Sequence, residues 1–513
     1  MLKKVRIARI IVALIFFVVI TLSFLFFSAG EKTSLHAILH FQFVPTLMSF
    51  FAGGALFFIF ILLITIVFGR VYCSFICPLG IWQDISTWVA RLFKTKKQRR
   101  YHYKKPHDIL RYGILIIVTI ALILGVSYPL AFLDPYSIYG RIASNLFNGA
   151  AQGINNLLSS IFSSSISYVP FVNITLWTFS VAVAFFCLVT VLSAFWGRLY
   201  CNSICPVGSF LGIIGKYSMF RLSINDDKCI SCGLCGFDCK SNCINSKQKK
   251  IDNSRCVVCF NCAKACKEGA IEYKFSWGKI RSKGVVKPDN KVVNNGRRDV
   301  ILALGTVGAV LVTRKFGKNI SSGVLVDKDK SVGIVPPGGV SVEHLKEFCT
   351  ACQACVSACP RGIIKPSLGQ YGIDGFMMPV LSYEKQFCGY DCNICSQVCP
   401  NRALLPISLE EKQLTQIGKV KFIAKNCIVY LKGTDCGACE EHCPTKAIKM
   451  VPFKNGLYFP SVHRDICIGC GGCEYVCPAT PKAMTVVPNR VHVKAEKPKV
   501  EKQEEKKVSG FGF

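Results

Sequence analysis

The cysteines decide what this chain can be. Six groups of four account for 24 of its 30 cysteines. Four groups read C-x2-C-x2-C-x3-C: Cys229, Cys232, Cys235, Cys239; Cys256, Cys259, Cys262, Cys266; Cys349, Cys352, Cys355, Cys359; and Cys467, Cys470, Cys473, Cys477. Two have a stretched first gap: Cys388, Cys392, Cys395, Cys399 and Cys427, Cys436, Cys439, Cys443. In runs of this spacing three thiolates on a tight loop hold one [4Fe–4S] cube, and the fourth reaches the cube of a partner group. Six groups imply six [4Fe–4S] clusters, a wire for single electrons. Disulfide frameworks belong mainly to short secreted chains. Structural zinc pairs one C-x2-C with a second pair at a distance, not with three close cysteines and a fourth.

At 513 residues the chain is too long for one domain. Its 51% hydrophobic residues are unevenly spread. Ile10 to Gly30, Leu47 to Gly69, Tyr112 to Leu133 and Ile174 to Gly197 carry no charge, and each is long enough to span a bilayer, which takes about 20 apolar residues. Lys3, Lys4, Arg6 and Arg9 precede the first stretch, and nine Lys and Arg from Arg91 to Arg111 separate the second from the third. The other two loops carry only Lys32 and only Arg141. The positive-inside rule then places the N-terminus, the 91–111 loop and the residues after the fourth stretch in the cytoplasm. The net charge of +32 partly reflects this bias, and no nucleic-acid module accompanies it. The expected fold is an α-helical membrane domain of four spans, arranged as two repeated hairpins, with a fifth short span and α+β ferredoxin domains of the bacterial type on both sides.

The second stretch runs into Gly69-Arg70-Val71-Tyr72-Cys73-Ser74-Phe75-Ile76-Cys77-Pro78-Leu79-Gly80, and the fourth into Gly197-Arg198-Leu199-Tyr200-Cys201-Asn202-Ser203-Ile204-Cys205-Pro206-Val207-Gly208. The pattern G-R-x-Y-C-x-x-I-C-P-x-G thus recurs 128 residues on, which marks an internal duplication. Cysteines four apart share a helix face. Cys73, Cys77, Cys201 and Cys205 could supply four soft ligands to one further metal centre, or act as dithiols. Both pairs are expected at the cytoplasmic surface, facing each other. Cys187, inside the fourth stretch, reads as core.

Spans ending in C-x3-C-P pairs, followed by a two-cluster ferredoxin, resemble the NapH family of membrane ferredoxin-type proteins over roughly residues 1–275. Asp134-Pro135-Tyr136-Ser137-Ile138-Tyr139-Gly140-Arg141 is similar to that family's outer-loop signature. One departure is Lys240 after Cys239, where Pro is usual, with an extra Cys243 four residues past Cys239. Asn295-Gly296-Arg297-Arg298-Asp299, followed by the uncharged Val300 to Thr313, resembles a twin-arginine signal placed mid-chain. Such a signal would carry the following domain across the membrane with its clusters already inserted, and the segment would remain as an anchor. Residues 336–490 resemble the NapG/MauM family of exported four-cluster ferredoxins, through Pro336-Pro337-Gly338-Gly339, the run Phe348 to Pro360, the two variant groups and Phe459-Pro460-Ser461-Val462-His463.

The resulting domain division is a NapH-like membrane domain (1–220), a cytoplasmic two-cluster ferredoxin (221–275), a linker with the twin-arginine segment (276–335), a periplasmic NapG-like four-cluster ferredoxin (336–490) and a disordered charged tail (491–513). Cys229, Cys232 and Cys235 should share a cluster with Cys266, and Cys256, Cys259 and Cys262 with Cys239. The NapG resemblance implies that the first of its groups pairs with the fourth and the second with the third. Cys477 would then complete the Cys349 group, Cys359 the Cys467 group, Cys443 the Cys388 group and Cys399 the Cys427 group.

The resemblances imply a multi-pass protein of the bacterial inner membrane, an oxidoreductase subunit of the quinol dehydrogenase type. It would take electrons from menaquinol in the quinone pool and pass them to a periplasmic reductase or carrier, of the nitrate or nitrous-oxide kind. The alternative is an electron donor for maturation of a partner's metal centre. His36 and His40, four apart in the first outer loop, are candidate proton acceptors for quinol. Two sets of clusters on opposite faces of a hydrocarbon core about 30 Å thick leave a gap that something must bridge.

Overall fold

The computed structural model describes residues 2–25, 38–95, 98–161, 176–276 and 333–497. The twin-arginine segment, the short span at 300–313 and His36 lie outside the described residues. His40 sits in the short 3-10 turn Ile38–Phe41.

The four apolar stretches form the helices Leu2–Leu25, Ala55–Phe68, Asp108–Ile123 and Leu176–Trp196. Among the described residues two helices are long and apolar enough to cross a membrane: Leu2–Leu25, of mean hydropathy 2.7, and Leu176–Trp196, of 2.2. The other two are shorter than the sequence suggests because glycine breaks them. Gly53 takes a left-handed φ of 103°, and a Cβ on Gly54 would come within 2.7 Å of the Thr46 carbonyl oxygen. Leu47–Gly69 is therefore split between Phe43–Met48 and Ala55–Phe68. Gly125, at φ 79°, ends Asp108–Ile123 before the turn into Tyr128–Leu133.

Each C-x3-C-P pair lies at the tip of a helical hairpin that folds back into this body. Tyr72–Phe75 leads into Pro78–Phe93, and Leu199–Ser203 into Pro206–Lys216. Proline begins the second helix of each hairpin, where its missing N–H costs nothing. The motif's last glycine permits the tight tip. A Cβ on Gly80 would lie 2.3 Å from the Cys73 carbonyl oxygen, and one on Gly208 2.2 Å from that of Cys201. All four cysteines are buried, at most 4% exposed. Cys187 is exposed on its helix and is neither core nor ligand.

Two ferredoxin units pack on the helical body. In the first, Phe220–Ile224 pairs antiparallel with Ile271–Phe275, Leu222 opposite Tyr273. In the second, antiparallel pairs join Ile364–Pro366 to Pro379–Leu381 and Ile448–Pro452 to Tyr458–Val462. Thr415–Phe422 pairs with Met484–Lys494. This last strand corrects the boundary of the disordered tail. Val493 and Lys494 pair with Gln416 and Thr415, and Ala495 is buried. The order comes from ladder hydrogen bonds that the charge of the segment conceals.

Candidate iron–sulfur centres

The four regular cysteine groups share one backbone shape. Two and four residues after the first cysteine the chain turns left-handed: Ser231 and Gly233, Val258 and Phe260, Ala351 and Gln353, Gly469 and Gly471. A β-branched Val258 at φ 53° is costly, so the loop must be held by something worth that strain. A backbone wrapped around a cube is one such reason. Backbone N–H groups also donate to cysteine sulfur, from Ala270 to Cys266 and from Ala447 to Cys443, each at 3.2 Å. Burial pushes the thiols of Cys439 and Cys470 up to about 12; iron ligation would hold such groups as thiolates. Among the described residues no three His, Cys, Asp or Glu side chains close around a single-ion point. Two sets of four cysteines wall a cavity each, as a cube requires.

In the first ferredoxin unit the cysteines group in the way that the expected sharing would need. Cys266 joins Cys229, Cys232 and Cys235, and Cys239 joins Cys256, Cys259 and Cys262. Those of the larger unit do not. Cys359 walls a cavity of about 380 Å³ with Cys388, Cys392 and Cys395, and Cys399 stands with Cys349, Cys352 and Cys355. Cys477 walls a cavity of about 360 Å³ with Cys427, Cys436 and Cys439, while Cys443 stands with Cys467, Cys470 and Cys473. The first group therefore pairs with the second and the third with the fourth. Sequence neighbours exchange their last cysteines because each pair folds as one local two-cluster unit.

Cys73, Cys77, Cys201 and Cys205 converge in the helical body as mutual electrostatic neighbours. The duplication makes their surroundings nearly two-fold. Arg70 Nη2 donates to the Cys201 carbonyl at 3.1 Å, and Arg198 Nη1 to the Cys73 carbonyl at 2.7 Å. Gln83 Nε2 lies 3.1 Å from Cys201 Sγ, and the Gly208 N–H 3.2 Å from Cys205 Sγ. Arg70 Nε and Arg198 Nη2 are buried donors with no partner among the described residues. An anionic cluster on four thiolates fits that setting: two buried guanidinium groups beside the cysteines would offset its charge, and Arg70 Nη2 already lies 3.9 Å from Cys73 Sγ.

Contacts run from this centre in both directions. On one side Asp84 gathers Arg198 at 2.9 Å, Arg9 at 3.1 Å and Lys240 at 3.3 Å, and the same charges act on Cys259 of the first ferredoxin unit. The Lys240 carbonyl accepts from the Arg198 N–H at 2.9 Å, and it is the Lys240 amine on Asp84 that a proline there could not supply. On the other side Tyr72 and Tyr200 follow Cys73, Cys77, Cys201 and Cys205 toward Asp134. The Tyr200 hydroxyl donates to the Leu133 carbonyl at 2.7 Å. Asp134 caps the helix Pro135–Ile142 through the Ser137 N–H, and burial raises its carboxyl to about 6. Tyr136, fully buried, neighbours Cys352 and Cys399 of the larger unit, its hydroxyl otherwise unpartnered among the described residues. A Cβ on Gly140 would lie 2.6 Å from the Cys352 carbonyl oxygen, so the larger unit sits directly on this helix. Of these residues Arg70 and Arg198 carried a sequence signal, their place in the repeat. Gln83 and Asp84 carried none, since the second repeat has Leu211 and Gly212 there.

A family described as a 4Fe-4S binding domain matches residues 50–99 and 178–225, the two C-x3-C-P segments. Families described as 4Fe-4S dicluster domains match residues 347–404 and 432–480, the two local pairs of the larger unit. The ferredoxin-type protein NapF of Escherichia coli is 30% identical over 151 residues, covering 29% of this chain and 83% of NapF. The chain belongs to this family of ferredoxin-type iron–sulfur proteins. It carries [4Fe–4S] clusters and transfers electrons. The ferredoxin-type protein NapG of E. coli is 28% identical over 38% of this chain and 86% of its own length. The methylamine utilization ferredoxin-type protein MauN of Paracoccus denitrificans is 27% identical over 33% of this chain and 48% of its own length. No solved structure matches the chain.

The extra Cys243 lies beside the second cluster of the first unit, its sulfur 3.5 Å from that of Cys239. A thiol donating to a ligand sulfur stabilises the reduced cluster. Replacing Cys243 with alanine is expected to leave the iron content unchanged. The midpoint potential of that cluster should fall by about 40 mV, one hydrogen bond of about 1 kcal/mol, in an EPR-monitored redox titration.

Proposed function

We propose that this protein is a membrane quinol dehydrogenase module, a NapH-type membrane domain fused to a NapG-type ferredoxin. It oxidises quinol, menaquinol by resemblance, and delivers electrons to a periplasmic reductase of the nitrate or nitrous-oxide type. The carrying observation is the nearness of charged and cysteine groups from Cys259 by way of Asp84 and Arg198 to the four cysteines, and from these by way of Tyr200, Asp134 and Tyr136 to Cys352. That series would bridge the membrane gap. From Pro206 to Gly215 the returning helix rises about 14 Å, which is about half of a 30 Å hydrocarbon core, so the centre divides one long transfer into two short ones.

Apolar side chains exposed on all four helices support four crossings, among them Ile11 and Ile15, Leu56 and Leu63, Ile116 and Ile117, Val191 and Phe195. In this reading the 24 grouped cysteines hold six clusters, Cys73, Cys77, Cys201 and Cys205 hold a seventh, and the domain after residue 333 is periplasmic. The chain's own residues position the clusters, supply N–H groups to their sulfurs and exclude water.

Purified protein in detergent, given a menaquinol analogue, should show cluster reduction by EPR within the time of respiratory turnover. Absence of reduction would remove the dehydrogenase reading and leave the maturation donor. A reporter fused after Phe513 should be active only in the periplasm; cytoplasmic activity would overturn the sidedness.

A further inference from the structure

An apolar cleft of about 500 Å³ opens between the helices Phe43–Met48, Asp108–Ile123 and Pro206–Lys216. Phe43, Leu47, Val118, Leu122, Val207 and Phe210 line it, as does Pro206, the residue after Cys205. Its edge is formed by the half-buried Leu115 and Thr119, on a helix whose Ile116 and Ile120 are exposed. A cleft open to an apolar surface admits a lipid-soluble molecule, and Pro206 in its lining sets that molecule one residue along the chain from Cys205. The fully buried Gln42 stands next to Phe43, with its Nε2 unpartnered among the described residues, and its Oε1 accepts from the Tyr72 hydroxyl at 3.0 Å. Gln42 does not itself line the cleft; an oxygen-bearing ring that reached past Phe43 would offer its Nε2 an acceptor, and a hydrocarbon chain would not.

We infer that this cleft is the quinone site, a deepening that rests on the quinol dehydrogenase reading. The isoprenoid tail occupies the outer part and the ring lies beside Pro206. Quinol loses two electrons and two protons there and becomes quinone. The electrons would pass one at a time to the cluster that Cys73, Cys77, Cys201 and Cys205 would hold, and the protons would go to water. His40, the candidate proton acceptor read from the sequence, lies three residues before the lining residue Phe43.

The test uses the full chain with its clusters in detergent and an azido-quinone photolabel. Mass spectrometry should find label on peptides carrying Leu115–Leu122 or Val207–Phe210, competed by a menaquinone analogue and not by phospholipid. Val118→Trp and Val207→Trp, from opposite walls, should each weaken quinone binding at least about tenfold while the iron content holds. If either variant loses iron, the labelling of the unaltered chain decides. Label elsewhere, with quinol still reducing the clusters, would overturn the site and leave the dehydrogenase reading intact. Equal competition by phospholipid would make the cleft a lipid site. No label and no reduction by quinol would sink the dehydrogenase reading itself.

Discussion

Replacing Cys77 with alanine is expected to abolish reduction of the larger unit's clusters by quinol, while dithionite still reduces them. The thiol of Cys77 is 3% exposed and faces Cys73 and Cys201, so water cannot substitute for it as a ligand. Loss of the centre should lower the iron content from about 28 to about 24 per chain, one [4Fe–4S] cluster of seven. The six ferredoxin-type clusters keep all their ligands in this variant, so their EPR signals after dithionite should be unchanged. An iron content already near 24 in the unaltered chain would show that the four cysteines hold no cube. Unimpaired reduction by quinol in the variant would remove the centre from the path. Cys205→Ala should reproduce the effect from the other half of the duplication, whereas alanine at the exposed Cys187 should do nothing.

Local spacing made the cluster loops legible. Three cysteines within seven residues dictate a tight turn whatever surrounds them, and the left-handed residues at Ser231 or Gln353 follow from it. The duplication was legible for the same reason, as a repeated string. Ligand sharing in the larger unit was not, because the spacing around Cys359 or Cys443 is the same for any partner and only packing decides. The fold-back of the two hairpins was also hidden. Pro78–Phe93 carries Gln83, Asp84 and Arg91, so hydropathy reads it as a surface segment. It enters the body because Asp84 meets three cations there and Gln83 meets Cys201. The tail boundary failed in the opposite sense, since the charged end of Met484–Lys494 pairs through its backbone, which composition does not register.

Asp84→Ala is expected to be among the most destabilising single substitutions in the chain. Arg198, Arg9 and Lys240 are at most 11% exposed, and each pairs with this carboxylate. Removing one partner of a buried ion pair costs about 3–5 kcal/mol, because the remaining charge is left without solvent or counter-ion. Here three are left. Thermal unfolding in detergent should show the loss, and Lys240→Ala added to Asp84→Ala should recover part of it, as a coupling energy between contacting residues requires. Additive losses would mean that the Lys240 pair contributes nothing. The sign of the pH dependence is fixed. Burial alone would raise the Asp84 carboxyl, but Arg198, Lys240 and Arg9 outweigh it and hold it well below the ordinary 3.8. A depressed carboxylate stabilises the fold above its unfolded value and loses that contribution as the pH falls toward its folded one. The gap between wild type and Asp84→Asn should therefore be constant above about pH 5 and narrow below about pH 4. Since Lys240 follows Cys239 and its carbonyl binds the Arg198 N–H, the same substitution should also slow electron exchange between the first unit and the four-cysteine centre. A stable variant with unchanged exchange would show that the ion cluster neither holds the fold nor docks that unit.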